Sequence, residues 1–245
     1  MEIAPKPAFL FLPGLVCDRF VWEYQMRALA DVAVCRVVEW TGEDSLVVMA
    51  QTVLGEAPER FALAGHSMGG RVALEVYRLA PQRVTGIALL DTGYLRCPAG
   101  AAGEEEARGR YALLEVARSQ GMRAMARQWI PPMIHPMRRS DPDFTGAIEE
   151  MFDRKTPEVF AAQIRALLFR PDATEVPGEI RCPALVLTGR EEGWSPPERH
   201  AAMADLISGS RLAVVPDCGH MSTLEQPAAV TEALRLVVEQ RSTAL

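Results

Sequence analysis

The chain has 245 residues, of which 49% are hydrophobic and 24% are charged, a composition typical of a globular protein. The 26 Lys and Arg residues are outnumbered by 32 Asp and Glu residues, and the net charge of −6 argues against a surface that follows nucleic-acid phosphates. No apolar run is long enough to form a membrane-spanning helix. We therefore expect a globular protein with neither a nucleic-acid nor a membrane partner.

The apolar stretch at residues 7–17 resembles the core of a signal peptide, but its flanks favour a buried strand. A single basic residue, Lys6, precedes it, and the charged pair Asp18 and Arg19 follows in place of a small-residue cleavage site. The five cysteines are scattered and contain no C-x-x-C pair, which favours reduced thiols over a disulfide framework. These features predict a cytoplasmic protein.

Short apolar runs alternate with segments of helical periodicity along most of the chain. In chain order, the pattern predicts a strand at 8–12, a helix at 20–31, a strand within 32–40, a helix at 45–55, a strand at 61–64, a helix at 68–80 and a strand at 84–90. It resumes with strands at 184–188 and 212–215 and a closing helix at about 222–240. Continuously apolar strands between helices indicate the α/β class, with a mostly parallel sheet of about six strands covered on both faces.

The alternation breaks between residues 96 and 176. This stretch is rich in Arg, Met and Ala and contains no convincing strand, and its prolines divide it into short helices. We predict a core formed by residues 1–95 and 177–245, with residues 96–176 inserted as a helical lid. A long crossover connection is the alternative interpretation.

Residues 65–69 read Gly-His-Ser-Met-Gly and match G-x-S-x-G, between a predicted strand and a predicted helix. That is the context of a nucleophile elbow, in which the serine stands on a tight turn at the N-terminus of the helix. Glycine is expected on both sides because so tight a turn tolerates little more than a hydrogen atom. The motif predicts Ser67 as a nucleophile.

With this motif the chain resembles a serine hydrolase of the α/β-hydrolase fold, of the small bacterial type with a helical lid. The resemblance covers the core at Leu12-Pro13-Gly14, the 65–70 elbow, residues 89–91, residues 183–189 and residues 217–220. The lid matches only in position and helical character. No metal-ligand spacing, dinucleotide fingerprint or phosphate-binding loop occurs, so we expect neither a metal nor a cofactor.

A serine hydroxyl becomes a good nucleophile only when a base takes its proton, and the chain offers four histidines. His220 follows the last predicted strand, where the family order of serine, acid and histidine places the base. His66 adjoins the serine and is expected to pack beneath the turn. His135 and His200 are expected on the surface or near the pocket.

Two backbone N–H groups are expected to bind the oxyanion of the tetrahedral intermediate. One belongs to Met68, the residue after the nucleophile, and the other to Leu15, which follows the turn after the first strand. Many relatives read His-Gly at this turn, where this chain has Pro13-Gly14. Because the donor is a backbone group, the resemblance still implies an oxyanion hole.

In the relatives that this chain resembles, the acid of the triad is an Asp three residues beyond the glycine that ends the strand before last. That glycine is Gly189, and the matching position holds Glu192. Asp91, at the end of the strand after the elbow, is an alternative acid, and so is the neighbouring Glu191. Asp217 is expected to fix the loop that carries the histidine.

In the predicted lid, Met122, Met125 and Trp129 fall on one helical face. The stripe either packs the lid onto the core or lines an apolar acyl pocket, to which Met133 and Trp194 are expected to contribute. The predicted activity is hydrolysis of a small apolar carboxylic ester, thioester or lactone through an acyl-enzyme. C–C bond hydrolysis, acyl transfer or lyase chemistry with the same triad are alternatives, as is a non-catalytic ligand receptor on this fold.

Overall fold

The computed structural model describes residues 6–239. Six strands form one sheet in the order β2-β1-β3-β4-β5-β6, and each neighbouring pair is parallel. The strands are β1 (Ala8–Leu12), β2 (Val34–Val37), β3 (Phe61–His66), β4 (Val84–Leu90), β5 (Ala184–Gly189) and β6 (Arg211–Val215). The predicted α/β class with a six-stranded parallel sheet is confirmed.

The central strands read as continuous apolar runs because helices cover both faces of the sheet. Every residue of β3, β4 and β5 is buried, whereas β2 and β6 at the two edges are partly exposed. Phe9, Phe11 and Phe61 are fully buried and fill the core around the central strands.

The helices in the described residues are α1 (Glu23–Ala28), α2 (Leu46–Glu56), α3 (Met68–Leu79), α4 (Ala101–Gln120), α5 (Met122–Trp129), α6 (Pro142–Asp153), α7 (Pro157–Leu168), α8 (Val176–Glu179), α9 (Pro197–Leu206), α10 (Ser222–Glu225) and α11 (Pro227–Glu239). α11 packs with α1 and lies against β3 to β6, while α3 packs with α2 and lies against β1, β3 and β4. None of the helices in the described chain combines the length and hydropathy needed to span a bilayer.

The helix predicted at residues 20–31 is shorter than expected. A 3₁₀ turn at Arg19–Trp22 comes first, and the Asp18 side chain caps it by accepting a hydrogen bond from the Phe20 N–H at 2.9 Å. Trp22, with φ −119° and ψ 0°, departs from helical geometry. The turn and α1 are therefore two elements rather than one helix.

The closing helix predicted at 222–240 is broken in two. Gln226, with φ −132° and ψ 59°, separates α10 from α11, and Pro227 begins α11. Proline disfavours helical backbone at the residue before it and has no N–H to donate, so the break falls at this proline. Gln240, the last residue of the prediction, lies outside the described residues.

Residues 96–176 hold α4 to α7, the start of α8 and connecting turns, with no strand in this part of the described chain. The starts of α6 and α7 follow from local sequence. Asp141 and Thr156 accept hydrogen bonds from N–H groups of the first helical turn. Pro142 and Pro157 come next, at a position where a missing N–H costs nothing.

The two ends of this helical segment lie side by side on the core. The Ala173 N–H donates to the Tyr94 carbonyl at 3.0 Å, and Arg170 Nε donates to the Leu95 carbonyl at 3.2 Å. Such pairing is what an insertion between two strands of one sheet requires. The division into a core and a lid at residues 95/96 and 176/177 stays a prediction.

Candidate active site

Ser67 stands on the turn between β3 and α3 with φ 54° and ψ −116°. A residue other than glycine is strained in this region, so its surroundings must hold it there. The Ser67 N–H donates to the Leu90 carbonyl at 2.9 Å, and the Thr92 hydroxyl donates to the Ser67 carbonyl at 2.7 Å. Both partners belong to β4 and the loop after it, so the neighbouring strand fixes the turn.

Glycines before and after Ser67 allow the chain to approach itself closely. A Cβ on Gly65 would lie 2.2 Å from the Gly69 carbonyl oxygen, and a Cβ on Gly69 would lie 2.1 Å from the Leu12 carbonyl oxygen. Neither position has room for a side chain. A Cβ on Gly14 would lie 3.2 Å from the Ser67 Cβ, so the loop after β1 runs directly beside the serine.

A chain of contacts joins Ser67 to two other buried side chains. Ser67 Oγ lies 2.9 Å from His220 Nε2, and His220 Nδ1 is hydrogen-bonded to Glu192 Oε2. The other oxygen of Glu192 accepts hydrogen bonds from the N–H groups of Trp194 and Ser195, at 2.7 and 3.3 Å. The carboxylate is therefore fixed from both sides.

The other candidate acids lie elsewhere. Asp91 is buried, accepts a hydrogen bond from the Gly189 N–H at 3.1 Å and contacts the Ser222 hydroxyl. Burial and the charge of Glu192 raise the pKa of Asp91 well above its usual value. Glu191 is exposed and accepts from the Cys218 N–H, and Asp217 is also exposed. Among the described contacts, the carboxylate hydrogen-bonded to His220 Nδ1 is that of Glu192.

Burial alone would lower the pKa of His220, but the charge and hydrogen bond of Glu192 outweigh it and raise that pKa above its usual value. Burial alone would raise the pKa of Glu192, but the same pairing lowers it. The site therefore favours a carboxylate beside an imidazole that readily accepts a proton.

The two amides predicted to bind an oxyanion flank the serine. Met68 is the first residue of α3, whose first N–H groups have no intrahelical acceptor, and Leu15 lines the same cavity as Ser67. The next residue, Val16, has φ 52°, and its N–H donates to Gln163 Oε1 at 2.7 Å. Gln163 is a buried residue of α7, so a helix of the inserted segment holds this loop. Nothing in the sequence pattern signals this contact.

His66 packs beneath the elbow, where its Nε2 lies 2.7 Å from the His220 backbone carbonyl and so carries the proton. Burial and the charge of His220 lower the pKa of His66 to about 3. His200 is not on the surface: the ring is fully buried, and Nε2 accepts a hydrogen bond at 2.9 Å from the N–H of Thr92, a residue that lines the cavity. His135 is half-buried outside the cavity wall.

A cavity of about 700 Å³ opens beside Ser67 and His220. One part of its wall is apolar and aromatic, formed by Leu113, Trp129, Met133, Phe152, Phe160, Leu167 and Trp194. Trp129 and Trp194 stack with ring centroids 5.5 Å apart, and the Trp194 ring lies 4.9 Å from that of His220. The predicted pocket residues Trp129, Met133 and Trp194 thus share one wall, whereas Met122 and Met125 are buried and do not line the cavity.

Another part of the wall is charged, which the prediction of an apolar pocket missed. Arg71, Arg110, Arg170 and Arg199 line it, together with Glu105 and Glu106. These residues lie on α3, α4, α9 and the loop after α7, and they form no motif in the sequence. The position of Arg71, one helical turn after the nucleophile, is the one signal that could have indicated them.

Glu225 is a second residue that sequence reasoning missed. Its buried carboxylate accepts hydrogen bonds from the N–H groups of Gly219 and Met221, on either side of His220, at 3.0 and 3.1 Å. It also accepts from the His135 N–H at 2.7 Å. One side chain thereby fixes the loop of His220 and ties it to the inserted segment.

One group of side chains in the described chain could hold a metal ion. His135, Glu191 and Asp217 offer ligand atoms that all lie within 4.8 Å of one another. Both carboxylates are exposed, and the group lies outside the cavity wall. The three residues are far apart in sequence, so a search for ligand spacing could not have found them.

The pattern of the alpha/beta hydrolase family matches residues 9–233. A pimeloyl-[acyl-carrier protein] methyl ester esterase from Nitrosomonas europaea is 23% identical over 247 residues, which cover 90% of this chain and 91% of the relative. A thermophilic, malate-bound esterase from Thermogutta terrifontis has a TM-score of 0.83 at 30% identity, covering 96% of this chain and 90% of that one. For the enol-lactonase from Burkholderia xenovorans LB400 the TM-score is 0.81 at 22% identity, with coverage of 97% and 94%. At that identity the last likeness shows the fold alone.

Glu225→Gln should lower the free energy of unfolding by about 2–4 kcal/mol, since an amide cannot accept from three N–H groups and its own NH₂ faces donors. Chemical denaturation measures the change. Glu232→Gln, which removes an exposed charge from α11, is the control and should be nearly silent. Equal stability of the two variants would contradict the structural role of Glu225.

Proposed function

Because the chain belongs to the alpha/beta hydrolase family, we propose that it is a serine esterase with Ser67, His220 and Glu192 as its catalytic triad. The observation that carries the proposal is the unbroken run of contacts from the Glu192 carboxylate through the His220 ring to Ser67 Oγ. Glu192 and His220 are 28 residues apart and His220 and Ser67 are 153 apart, so no local preference produces this alignment.

In the proposed reaction, Ser67 Oγ attacks the ester carbonyl while His220 Nε2 takes the hydroxyl proton. The Glu192 carboxylate holds the imidazole in the tautomer that leaves Nε2 free and stabilises the imidazolium that forms. The imidazolium then protonates the departing alcohol. Water then attacks the acyl-enzyme while His220 takes its proton as the base. His220 returns that proton to Ser67 Oγ, and the carboxylic acid product leaves.

The backbone N–H groups of Leu15 and Met68 are proposed to bind the oxygen that becomes negative in each tetrahedral intermediate. Support comes from their positions beside Ser67, one after the closely packed Gly14 and the other at the start of α3. The hydrogen bond from Val16 to Gln163 would keep the first donor in place.

We propose residues 96–176 as a lid that shapes the acyl pocket through Trp129 and Met133, with Trp194 on the core side. A carboxylic ester is the preferred substrate class, because a curated relative is a methyl ester esterase and the similar chain from Thermogutta terrifontis is an esterase. We also keep the cytoplasm as the proposed location, since Cys17, Cys35, Cys97 and Cys218 are thiols rather than disulfides.

Ser67→Ala should lower kcat on any accepted 4-nitrophenyl ester by about three to six orders of magnitude while the protein stays folded. Steady-state kinetics and circular dichroism test this together. Ser119→Ala, an exposed hydroxyl on α4, is the matched control and should keep full activity. Substantial turnover by the Ser67 variant would rule the residue out as nucleophile.

Glu192→Gln should lower kcat by about two to four orders of magnitude and move the acidic limb of the kcat/KM profile to lower pH. The base must be neutral, so activity rises as pH passes the pKa of His220. In the native protein Glu192 raises that pKa above 6.5. Without the carboxylate, burial is opposed only by the smaller effects of the Asp91 and Glu225 charges, so the pKa of His220 falls.

The control for this variant is Glu191→Gln, which removes the adjacent exposed carboxylate. It should leave both kcat and the acidic limb nearly unchanged. A silent Glu192→Gln, combined with a large loss in Asp91→Asn, would instead assign the acid to Asp91.

Trp129→Ala should shift the preferred acyl length upward, because its ring contacts Phe152, Phe160 and Trp194 at the apolar wall. The values of kcat/KM for 4-nitrophenyl acetate, butyrate, hexanoate and octanoate measure the preference. Tyr111→Ala, an exposed aromatic on α4, serves as the control. An unchanged preference with a large drop in melting temperature would mean that Trp129 only packs the segment.

A further inference from the structure

The charged part of the cavity wall has more positive than negative groups. Of the six ionisable side chains in that part, four are arginines and two are glutamates. Glu105 is exposed and contacts Arg108, which does not line the cavity, so it contributes little to neutralising the arginines. Glu106 is the remaining carboxylate of these six side chains.

Glu106 is already fully engaged by two of the arginines. Arg170 donates to both of its oxygens, at 2.7 and 2.9 Å, and Arg110 donates twice to Oε1, at 3.0 and 2.9 Å. Burial opposes ionisation, but these hydrogen bonds and charges lower the pKa of Glu106 to about 2. The Glu106 carboxylate is thus hydrogen-bonded to two guanidinium groups, and its charge reaches a third only through space.

Arg71 is that third guanidinium. In the part of the chain that the structure describes, it has no ion-pair partner, and its Nη1 donates to the Leu95 carbonyl at 2.8 Å. The same carbonyl also accepts from Arg170. Burial and the charge of Arg170 lower the pKa of Arg71 to about 9. Arg71 is half-buried, and a guanidinium partly withdrawn from water without a hydrogen-bonded counter-ion carries a desolvation cost.

The space in front of Arg71 is open because residue 93 is glycine. A Cβ at that position would lie 3.1 Å from Arg71 Nη2. The backbone of Gly93 does not have the positive φ that would require glycine. Its missing side chain instead leaves a guanidinium edge accessible from the cavity that holds Ser67.

We propose that Arg71, flanked by Arg110 and Arg170, binds a free carboxylate of the substrate, so that the preferred substrates are half-esters of dicarboxylic acids or lactones that carry a carboxylate. This inference rests on the proposed esterase function. The planar guanidinium edge matches the two oxygens of a carboxylate. Along α3, four residues rise about 6 Å, so a short acyl chain can reach from Ser67 toward Arg71 while its methylene groups contact the apolar wall.

Two esters with six-carbon acyl chains test the proposal: mono-4-nitrophenyl adipate, which ends in a carboxylate, and neutral 4-nitrophenyl hexanoate. The native protein should prefer the adipate half-ester, mainly through a lower KM. Arg71→Met should lower kcat/KM for the half-ester by about tenfold to a hundredfold and leave the hexanoate value nearly unchanged. Arg71→Lys should keep part of the preference.

Arg139→Ala is the control, because it removes an equal charge from an exposed site outside the cavity wall. It should leave both esters unaffected. Arg71→Met should melt close to the native protein, because the Leu95 carbonyl keeps its hydrogen bond from Arg170. If Arg71→Met does not fold, Arg71→Lys is compared with the native protein instead. The proposal is overturned if both proteins prefer the hexanoate ester over the half-ester to the same degree.

Failure of this inference is distinguishable from failure of the esterase proposal. Hydrolysis of both esters with equal kcat/KM, lowered equally by Arg71→Met, overturns the carboxylate site and leaves the esterase intact. If neither ester is hydrolysed, adipate binding to Ser67→Ala, followed by tryptophan fluorescence, still tests the site. Adipate binding that disappears in Ser67→Ala/Arg71→Met supports the carboxylate site. Adipate binding that persists in the double variant, or no binding to either variant, overturns the site.

Discussion

All six strands run in the same direction, so the loops that follow them open at one edge of the sheet. Leu15 follows β1, Ser67 follows β3, Asp91 follows β4, Glu192 follows β5 and His220 follows β6. Residues more than 200 positions apart in sequence therefore meet within one cavity. The chemistry proposed here depends on this edge of the sheet. The helices that cover the two faces shield the strands from water.

Burying charged groups at this edge of the sheet has a desolvation cost, which the surrounding hydrogen bonds must offset. The Glu192 carboxylate is stabilised by the His220 ring and two backbone amides, and the Glu225 carboxylate by three amides. The His220 N–H donates to the Met133 carbonyl at 2.6 Å, and the His66 ring donates to the His220 carbonyl. The histidine is thus held by the core and the inserted segment together, which links its position to the placement of the helices over the cavity.

The arginine-lined part of the cavity wall lacks such a full set of partners. The Arg71 guanidinium shares its carbonyl partner with Arg170 and lies beside Gly93, which has no side chain to cover it. The protein alone therefore stabilises it poorly. Such a group is ready to gain a partner of opposite charge. The apolar wall contacts the acyl chain and limits its length, so discrimination between neutral and anionic acyl chains would come from the charged end of the cavity.

Local patterns were sufficient where the structure depends on neighbours in sequence. The elbow could be predicted because a tight turn demands glycine at residues 65 and 69, and the sheet because buried strands are continuously apolar. The 3₁₀ turn before α1 and the break at Pro227 were missed because helical periodicity alone does not place a boundary. The contacts of Gln163 with Val16, of His200 with Thr92 and of Glu225 with His135 span 147, 108 and 90 residues, and nothing local encodes them.

The same limit applies to the site itself. Glu192 could be named because the family resemblance places the acid three residues beyond Gly189. The contact between Asp91 and Ser222 emerges only when β4 and α10 are placed together. The arginines of the cavity wall lie on separate elements, so their surplus charge is a property of the fold rather than of any segment.

The central claim is that Glu192 and Ser67 hold His220 as a base poised to accept a proton. A ¹⁵N-histidine NMR titration of the native protein and of Glu192→Gln tests it directly. We expect His220 in the native protein to titrate above pH 6.5 with a strongly downfield Nδ1–H resonance, and His66 to stay mostly neutral until the pH approaches 3. The variant should lose the downfield resonance and titrate at lower pH. A His220 resonance that titrates identically in both proteins would contradict it.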